Sequence, residues 1–154
     1  MSRAKITLSY NGSAFMGSQQ QPNTDNTVMG HLITVLHRLK ITATPKASGR
    51  TDRGVHATHQ VIHVDLPDFW TDLHRLREML NVQLPPAMRI QRIEYVDEDF
   101  HARYSAKRRV YRYVIKEGLG NPFEDNFITF VPSLDRDAVR DAIGCFVGTH
   151  DFEF

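Results

Sequence analysis

The chain has 154 residues, of which 41% are hydrophobic and 24% charged, a composition typical of a globular protein with a packed core. No apolar run is long enough for a membrane-spanning helix, and the N-terminus lacks the pattern of a secretory signal, so we expect a cytoplasmic protein. The single cysteine, Cys145, excludes an internal disulfide and a cysteine-based zinc site, and its apolar neighbours predict a buried, unreactive thiol.

The net charge of +1 does not by itself indicate a nucleic-acid-binding protein. Its distribution is more informative, because residues 101–116, here called the basic segment, contain no acidic residue. The cations of this segment are Arg103, Lys107, Arg108, Arg109, Arg112 and Lys116. A local basic patch can hold a polyanion, but a solvated strand face explains the composition equally well.

The first predicted element is a half-buried strand over residues 4–10, where apolar and polar residues alternate. Thr27 is then expected to cap a helix whose apolar stripe runs from Val28 to Leu39. The later patterns predict a strand at 58–64, a helix at 71–81, strands at 90–96 and 108–115, and a helix that is capped by Ser133 or Asp135 and ended by Gly148.

This order, β-α-β-α-β-β-α, predicts an α/β (α+β) fold with helices packed on one face of a mainly antiparallel sheet. Its β-α-β elements are similar to those of ferredoxin-like and RNA-recognition-motif folds. The sequence stops at Phe154, where a helix has just ended and a new segment begins, so we expect a truncated chain.

The most informative stretch is the loop from Ser48 to Ala57, in which Asp52 lies between Arg50 and Arg53. A nearby guanidinium favours the ionised carboxylate, which can act as a nucleophile at a glycosidic carbon. An Asx turn with a surface salt bridge accounts for the same residues, and in isolation it is the better explanation.

The wider pattern favours the nucleophile instead, because Gly49-Arg50-Thr51-Asp52-Arg53-Gly54-Val55-His56-Ala57 resembles the signature of the tRNA pseudouridine synthase A family. Further segments resemble family motifs and occur in the family's order. They are Tyr10 to Gly17, Leu84-Pro85-Pro86, Phe100 to Ala106, Tyr111-Arg112-Tyr113 and Gly148 to Phe152.

The resemblance implies a pseudouridine synthase-like fold in which residues 1–154 form an N-terminal portion that binds RNA and carries the catalytic loop, without the C-terminal portion. It implies that Asp52 is the nucleophile, that Arg50 pairs with it and helps to displace the base, and that Tyr111 holds the flipped uracil. Neither a metal nor an organic cofactor is implied. The expected partner is tRNA, which would be modified in the anticodon arm at positions 38, 39 and 40. The enzyme is expected to act as a homodimer.

The basic segment is then expected to contact phosphates, which positions RNA without reading its sequence. On a strand of period two, Arg109, Tyr111 and Tyr113 would share one face, and Tyr113 is expected to pack in a core, as is Phe100. The residues expected to bind RNA are Arg53, His56, Arg103, Lys107, Arg108, Arg109 and Arg112.

One position departs from the family pattern: Ser18 follows Gly17 where an aromatic residue is common. We expect this change to weaken packing or an RNA contact of the loop and to leave the chemistry intact.

Two other classes of function fit parts of the sequence less well. A zinc site is disfavoured because His59 and His63, four residues apart on one strand, would be separated by roughly 13 Å. A non-catalytic RNA-binding module is disfavoured because the carboxylate of Asp52 would repel phosphate.

Overall fold

The computed structural model describes residues 1–151 and divides the chain into two compact units, Met1–Val110 and Tyr111–Phe154. The first unit contains β1 (Ser2–Tyr10), α1 (Val28–Arg38), β2 (Lys46–Ala47), β3 (Ala57–Leu66), α2 (Leu73–Gln83) and β4 (Met88–Tyr95). The second contains β5 (Ile115–Glu117), β6 (Thr129–Val131) and α3 (Arg136–Gly144). Within residues 1–151, no helix has the length and apolar character that crossing a bilayer requires.

The first unit is built on an antiparallel sheet with the strand order β2-β3-β1-β4. Every second residue of β1 is buried, from Ala4 to Tyr10, because successive side chains of a strand point to opposite faces. These side chains belong to one hydrophobic cluster together with the buried stripes of α1 and α2. The predicted α+β fold with a mainly antiparallel sheet is therefore confirmed.

Both helices of this unit begin at side-chain caps. Thr27, which is fully buried, accepts a hydrogen bond from the Gly30 amide at 3.0 Å, as predicted. Asp72 accepts one from the Arg75 amide at 2.9 Å, so α2 starts two residues later than predicted. Leu84 ends α2 immediately before the paired prolines.

The second unit holds a short parallel pair, β5 and β6, and the helix α3. Asp135 is the N-cap of α3, accepting from the amides of Asp137 and Ala138, which confirms one of the two predicted caps. The helix ends at Gly144 rather than near Gly148, and Cys145 beyond it is exposed, so the prediction of a buried thiol is wrong.

The predicted strand at 108–115 is also wrong. Residues 106–114 are exposed and adopt neither helix nor strand, and of the predicted stretch only Ile115 lies in a strand. A strand needs a neighbour for its backbone hydrogen bonds, and within residues 1–151 this stretch pairs with none. The predicted alternation of its side chains between two faces does not occur, and Tyr113, expected in a core, is 93% exposed.

Candidate active site and basic segment

Asp52 lies on the loop between β2 and β3, and its side chain is exposed together with those of Arg50 and Arg53. The loop turns immediately after Asp52. The Asp52 carbonyl accepts a hydrogen bond from the Val55 amide at 3.1 Å, and Gly54 adopts φ = +85°, a backbone conformation that favours glycine. The carboxylate therefore stands at the surface of a defined turn, where a large substrate can reach it.

Thr51, the residue before Asp52, is held by Tyr10, the last residue of β1, and by Ser18 in the opening loop, residues 11–26, which leads from β1 to α1. The Tyr10 hydroxyl and Thr51 Oγ1 are 2.8 Å apart. Ser18 binds the Thr51 backbone from both sides: its amide donates to the Thr51 carbonyl at 2.9 Å, and its Oγ accepts from the Thr51 amide at 2.7 Å. Ser18 Oγ also lies 3.2 Å from the Thr51 carbonyl, to which it donates.

Burial raises the pKa of the Tyr10 phenol, although its hydrogen bonds, with Thr51 first among them, act in the opposite direction. The phenol therefore remains neutral, and keeps its hydrogen bond to Thr51, throughout the neutral pH range.

The far side of the turn is fixed by the backbone of Gly12. Its amide donates to His56 Nδ1 at 3.1 Å. A Cβ atom on Gly12 would lie 2.0 Å from the Val55 carbonyl oxygen, so no larger residue fits without moving that peptide. The opening loop and the Asp52 loop are thus packed backbone against backbone.

Gln60 at the start of β3 fixes the other end of the loop. Its side-chain oxygen accepts from the Ser48 hydroxyl at 2.8 Å, and its Nε2 donates to the Gly49 carbonyl at 2.8 Å. Arg109 reaches the same place, donating from Nη2 to the Ser48 carbonyl at 2.8 Å. The residues flanking Asp52 are therefore bonded to the loop after β1, to β3 and to the basic segment.

Not every contact expected among the predicted site residues is present within the first unit. Among residues 1–151 no ion pair joins Asp52 to Arg50, so the expected pairing is not seen. Tyr111 and Arg112 belong to the second unit and are exposed there. Of the basic segment, Arg103, Lys107 and Arg108 are exposed, and Arg103 lies 6.0 Å from the centre of the Tyr104 ring.

Sequence reasoning missed the residues that shape the loop. Tyr10 and Gly12 lie in a motif that resembles the family's, but nothing in the sequence indicates that they contact residues more than forty positions later. Ser18 stands out in the sequence only as a departure from a pattern. It is 3% exposed and makes three hydrogen bonds to Thr51, so the expectation of a weakened loop does not match its contacts.

The described side chains show no arrangement suited to a metal: within residues 1–151, no three or more histidine, cysteine, aspartate or glutamate side chains are grouped to hold an ion. His63 is buried, and its Nδ1 accepts the Ala102 amide at 3.0 Å. Its role in the fold is therefore to fix the chain after β4.

The chain is similar to known proteins over most of its length. The family model described as tRNA pseudouridine synthase matches residues 6–105. The chain is 43% identical over 158 residues to tRNA pseudouridine synthase A of Limosilactobacillus reuteri (strain DSM 20016), covering 99% of this chain and 61% of the relative. It is 37% identical over 152 residues to the protein of that name from Campylobacter jejuni (strain RM1221), covering 99% and 63%.

A third relative, tRNA pseudouridine synthase A of Oceanobacillus iheyensis, is 42% identical over 156 residues, with 99% of this chain and 61% of the relative covered. The chain thus spans a little over three fifths of the length of these relatives. The family match includes the second half of β1, the opening loop, the Asp52 turn and both helices of the first unit. This chain belongs to the tRNA pseudouridine synthase family.

Proposed function

We propose that the protein isomerises uridine to pseudouridine in tRNA, with Asp52 as the nucleophile. The observation that carries the proposal is an exposed carboxylate on a turn whose flanking residues are fixed by Tyr10, Gly12 and Ser18. A carboxylate that only terminated a surface turn would not need such support. A positioned nucleophile does, because small displacements of a reacting group cost much of the rate.

The reaction breaks the bond between N1 of uracil and C1′ of ribose and forms one between C5 and C1′. A proton leaves C5 and N1 gains one, so substrate and product are isomers and no external oxidant or reductant is consumed. Asp52 supplies an anionic oxygen to attack the nucleoside, and its departure regenerates the enzyme. The target base must leave the helical stack to reach a carboxylate at the protein surface.

Arg50 and Arg53 flank the nucleophile and are available to bind phosphate or fill the gap left by the flipped base. His56 lies on the same loop and is proposed as a further RNA contact. The exposed cations of the basic segment are proposed to hold the tRNA backbone, and Tyr111 to stack on the target base.

The names of these relatives specify tRNA as the substrate, and we extend this to the protein. The anticodon arm, with uridines 38, 39 and 40 as targets, is the proposed recognition element. We propose that residues 1–154 form the RNA-binding portion with the catalytic loop, that the protein works in the cytoplasm as a homodimer, and that no metal or organic cofactor takes part.

The test is pseudouridine formation in unmodified tRNA by the protein and by its Asp52→Asn variant, with tRNA affinity measured in parallel. We expect product at uridines 38 to 40 with the native carboxylate, none with Asp52→Asn, and similar binding by both. Asp97→Asn, at another exposed aspartate, is the matched control and should leave product formation unchanged. Absence of product from both the native protein and Asp52→Asn, with binding retained, would identify a non-catalytic RNA-binding module. Equal product from both would show that Asp52 is not the nucleophile.

A further inference from the structure

Ser18 is one of only three buried polar residues found among residues 1–151. Its amide and hydroxyl together make three hydrogen bonds, all with the backbone of Thr51. A buried hydroxyl left without partners would destabilise the fold, and here both its donor and its acceptor functions are used.

Ser18 is itself fixed by a rigid element. The first backbone amides of α1 donate back to the opening loop, Val28 to the Gly17 carbonyl at 3.3 Å and Met29 to the Ser18 carbonyl at 3.0 Å. Gly17 adopts φ = +101°, and a Cβ atom there would lie 3.4 Å from the Thr51 carbonyl oxygen. The start of α1 therefore determines where Ser18 stands, and Ser18 determines where Thr51 stands.

Thr51 precedes Asp52 directly, so its peptide orientation sets the direction of the aspartate side chain. The Tyr10 contact holds only the Thr51 side chain, whereas Ser18 binds the backbone amide and carbonyl. Removing the Ser18 hydroxyl would leave the bond between the Ser18 amide and the Thr51 carbonyl but free the Thr51 amide to rotate with the turn.

We infer that Ser18 is a positioning residue for Asp52: its hydroxyl connects the N-terminus of α1 to the peptide of Thr51 and so holds the nucleophile in its reactive orientation. This inference rests on the proposed function.

The experiment compares Ser18→Ala, Ser18→Thr and Asp72→Ala with the native protein. Asp72→Ala removes the cap of α2 and is a control for general loss of stability. The readouts are the exchange rate of the Thr51 amide by NMR, the single-turnover rate on saturating tRNA, the tRNA dissociation constant and the melting temperature.

For Ser18→Ala we expect Thr51 amide exchange to rise roughly fivefold to tenfold, the fold-change of one typical hydrogen bond. The single-turnover rate should fall on the order of tenfold to a hundredfold while the tRNA dissociation constant changes less than about twofold. Ser18→Thr, which keeps the hydroxyl, should restore both. Asp72→Ala should lower the melting temperature without changing either quantity.

The inference would be overturned if Ser18→Ala had the same Thr51 amide exchange rate and the same single-turnover rate as the native protein. It would also be overturned if Asp72→Ala lowered the single-turnover rate as much as Ser18→Ala. If native protein and Asp52→Asn yield equal product, the proposed function fails and the positioning role fails with it. The amide-exchange measurement then still decides whether Ser18 orders Thr51, because it does not depend on turnover.

Discussion

Arg109 Nη2 donates a hydrogen bond to the Ser48 carbonyl at 2.8 Å, which connects the basic segment to the loop that carries Asp52. The two residues are 61 positions apart. A guanidinium has five N–H donors, so this one bond leaves Arg109 able to contact a phosphate as well. An arginine in this position can both fix the loop and bring the tRNA backbone to it.

Arg109→Ala should therefore affect both binding and chemistry, whereas Lys107→Ala should affect binding alone. Each variant loses one cation, so the magnitude of the slope of log affinity against log salt concentration should fall by about 1 in both variants. Only Arg109→Ala should also lower the single-turnover rate at saturating tRNA, because the loop loses its bond at Ser48. Filter binding across a salt series and quenched-flow turnover measure the two effects, and identical rates for the two variants would disprove the loop role of Arg109.

Gly12→Ala should disrupt the Asp52 loop. The new methyl group would lie 2.0 Å from the Val55 carbonyl oxygen, so the backbone must move, and we expect a loss of roughly 1–3 kcal/mol in the free energy of unfolding together with reduced turnover. Gly144→Ala, in α3, is the control: apart from its chain neighbours and the helix backbone, no atom lies within 4 Å of the added carbon. It should be neutral or stabilising by up to about 1 kcal/mol. Denaturant titration compares them, and equal effects would contradict the packing of Gly12 on Val55.

Leu36→Ala should test whether α1 holds the sheet together. Leu36 is fully buried, and its truncation is expected to lower the free energy of unfolding by about 2–5 kcal/mol. Val82→Ala on α2, at a side chain 85% exposed, should change it by less than about 0.5 kcal/mol. Urea titration followed by circular dichroism measures both. A small effect of Leu36→Ala would contradict its burial.

His63 should make the fold sensitive to mild acid. Burial lowers the pKa of its imidazole, and the charges of His101 and Arg3 lower it further. The unfolded chain therefore binds a proton at this histidine near pH 6.5 before the folded chain does, so stability falls as pH drops below that value, until the folded-state pKa is reached. Protonation at Nδ1 would also break the bond from the Ala102 amide.

The comparison for this prediction is His63→Asn, which keeps an acceptor for Ala102 and cannot titrate. Its free energy of unfolding should change less than that of the native protein between pH 7 and pH 5, where one group contributes at most about 1.4 kcal/mol per pH unit. The ion pair of Arg3 and Asp65 does not interfere, because it lowers the pKa of Asp65 and its loss begins at more acidic pH. Parallel profiles for the two proteins would contradict the prediction.

The sequence predicted the first unit well because its periodic patterns coincide with real burial. The alternation in β1 and the stripe of α1 face a single core, so local pattern and tertiary packing agree. Boundaries in this unit differ by one or two residues, as for β4, which was expected at 90–96 and is found at Met88–Tyr95. The short strands β2 and β6 carry too few residues for any pattern to reveal.

The prediction of a strand failed where the chain has no neighbouring strand to pair with. Residues 108–115 have the β-branched and aromatic composition of a strand, but only Ile115 has a neighbouring strand, and composition does not supply one for the rest. The contacts that hold the Asp52 loop could not be predicted from the sequence for a different reason. They come from Tyr10, Gly12 and Ser18, which lie between 33 and 44 positions earlier in the chain. Hydrogen bonds at such separations leave no local periodicity.

The close approach of Gly12 to Val55 also has a consequence for protein engineering. The turn that displays the aspartate cannot be grafted alone into another scaffold, because its outline is completed by a stretch of chain that precedes α1. Two discontinuous pieces, one on either side of that helix, would have to be transplanted together with the helix start that spaces them. A chimera that took the segment around Gly12 from one protein and the segment around Val55 from another would join two backbone surfaces that do not fit each other.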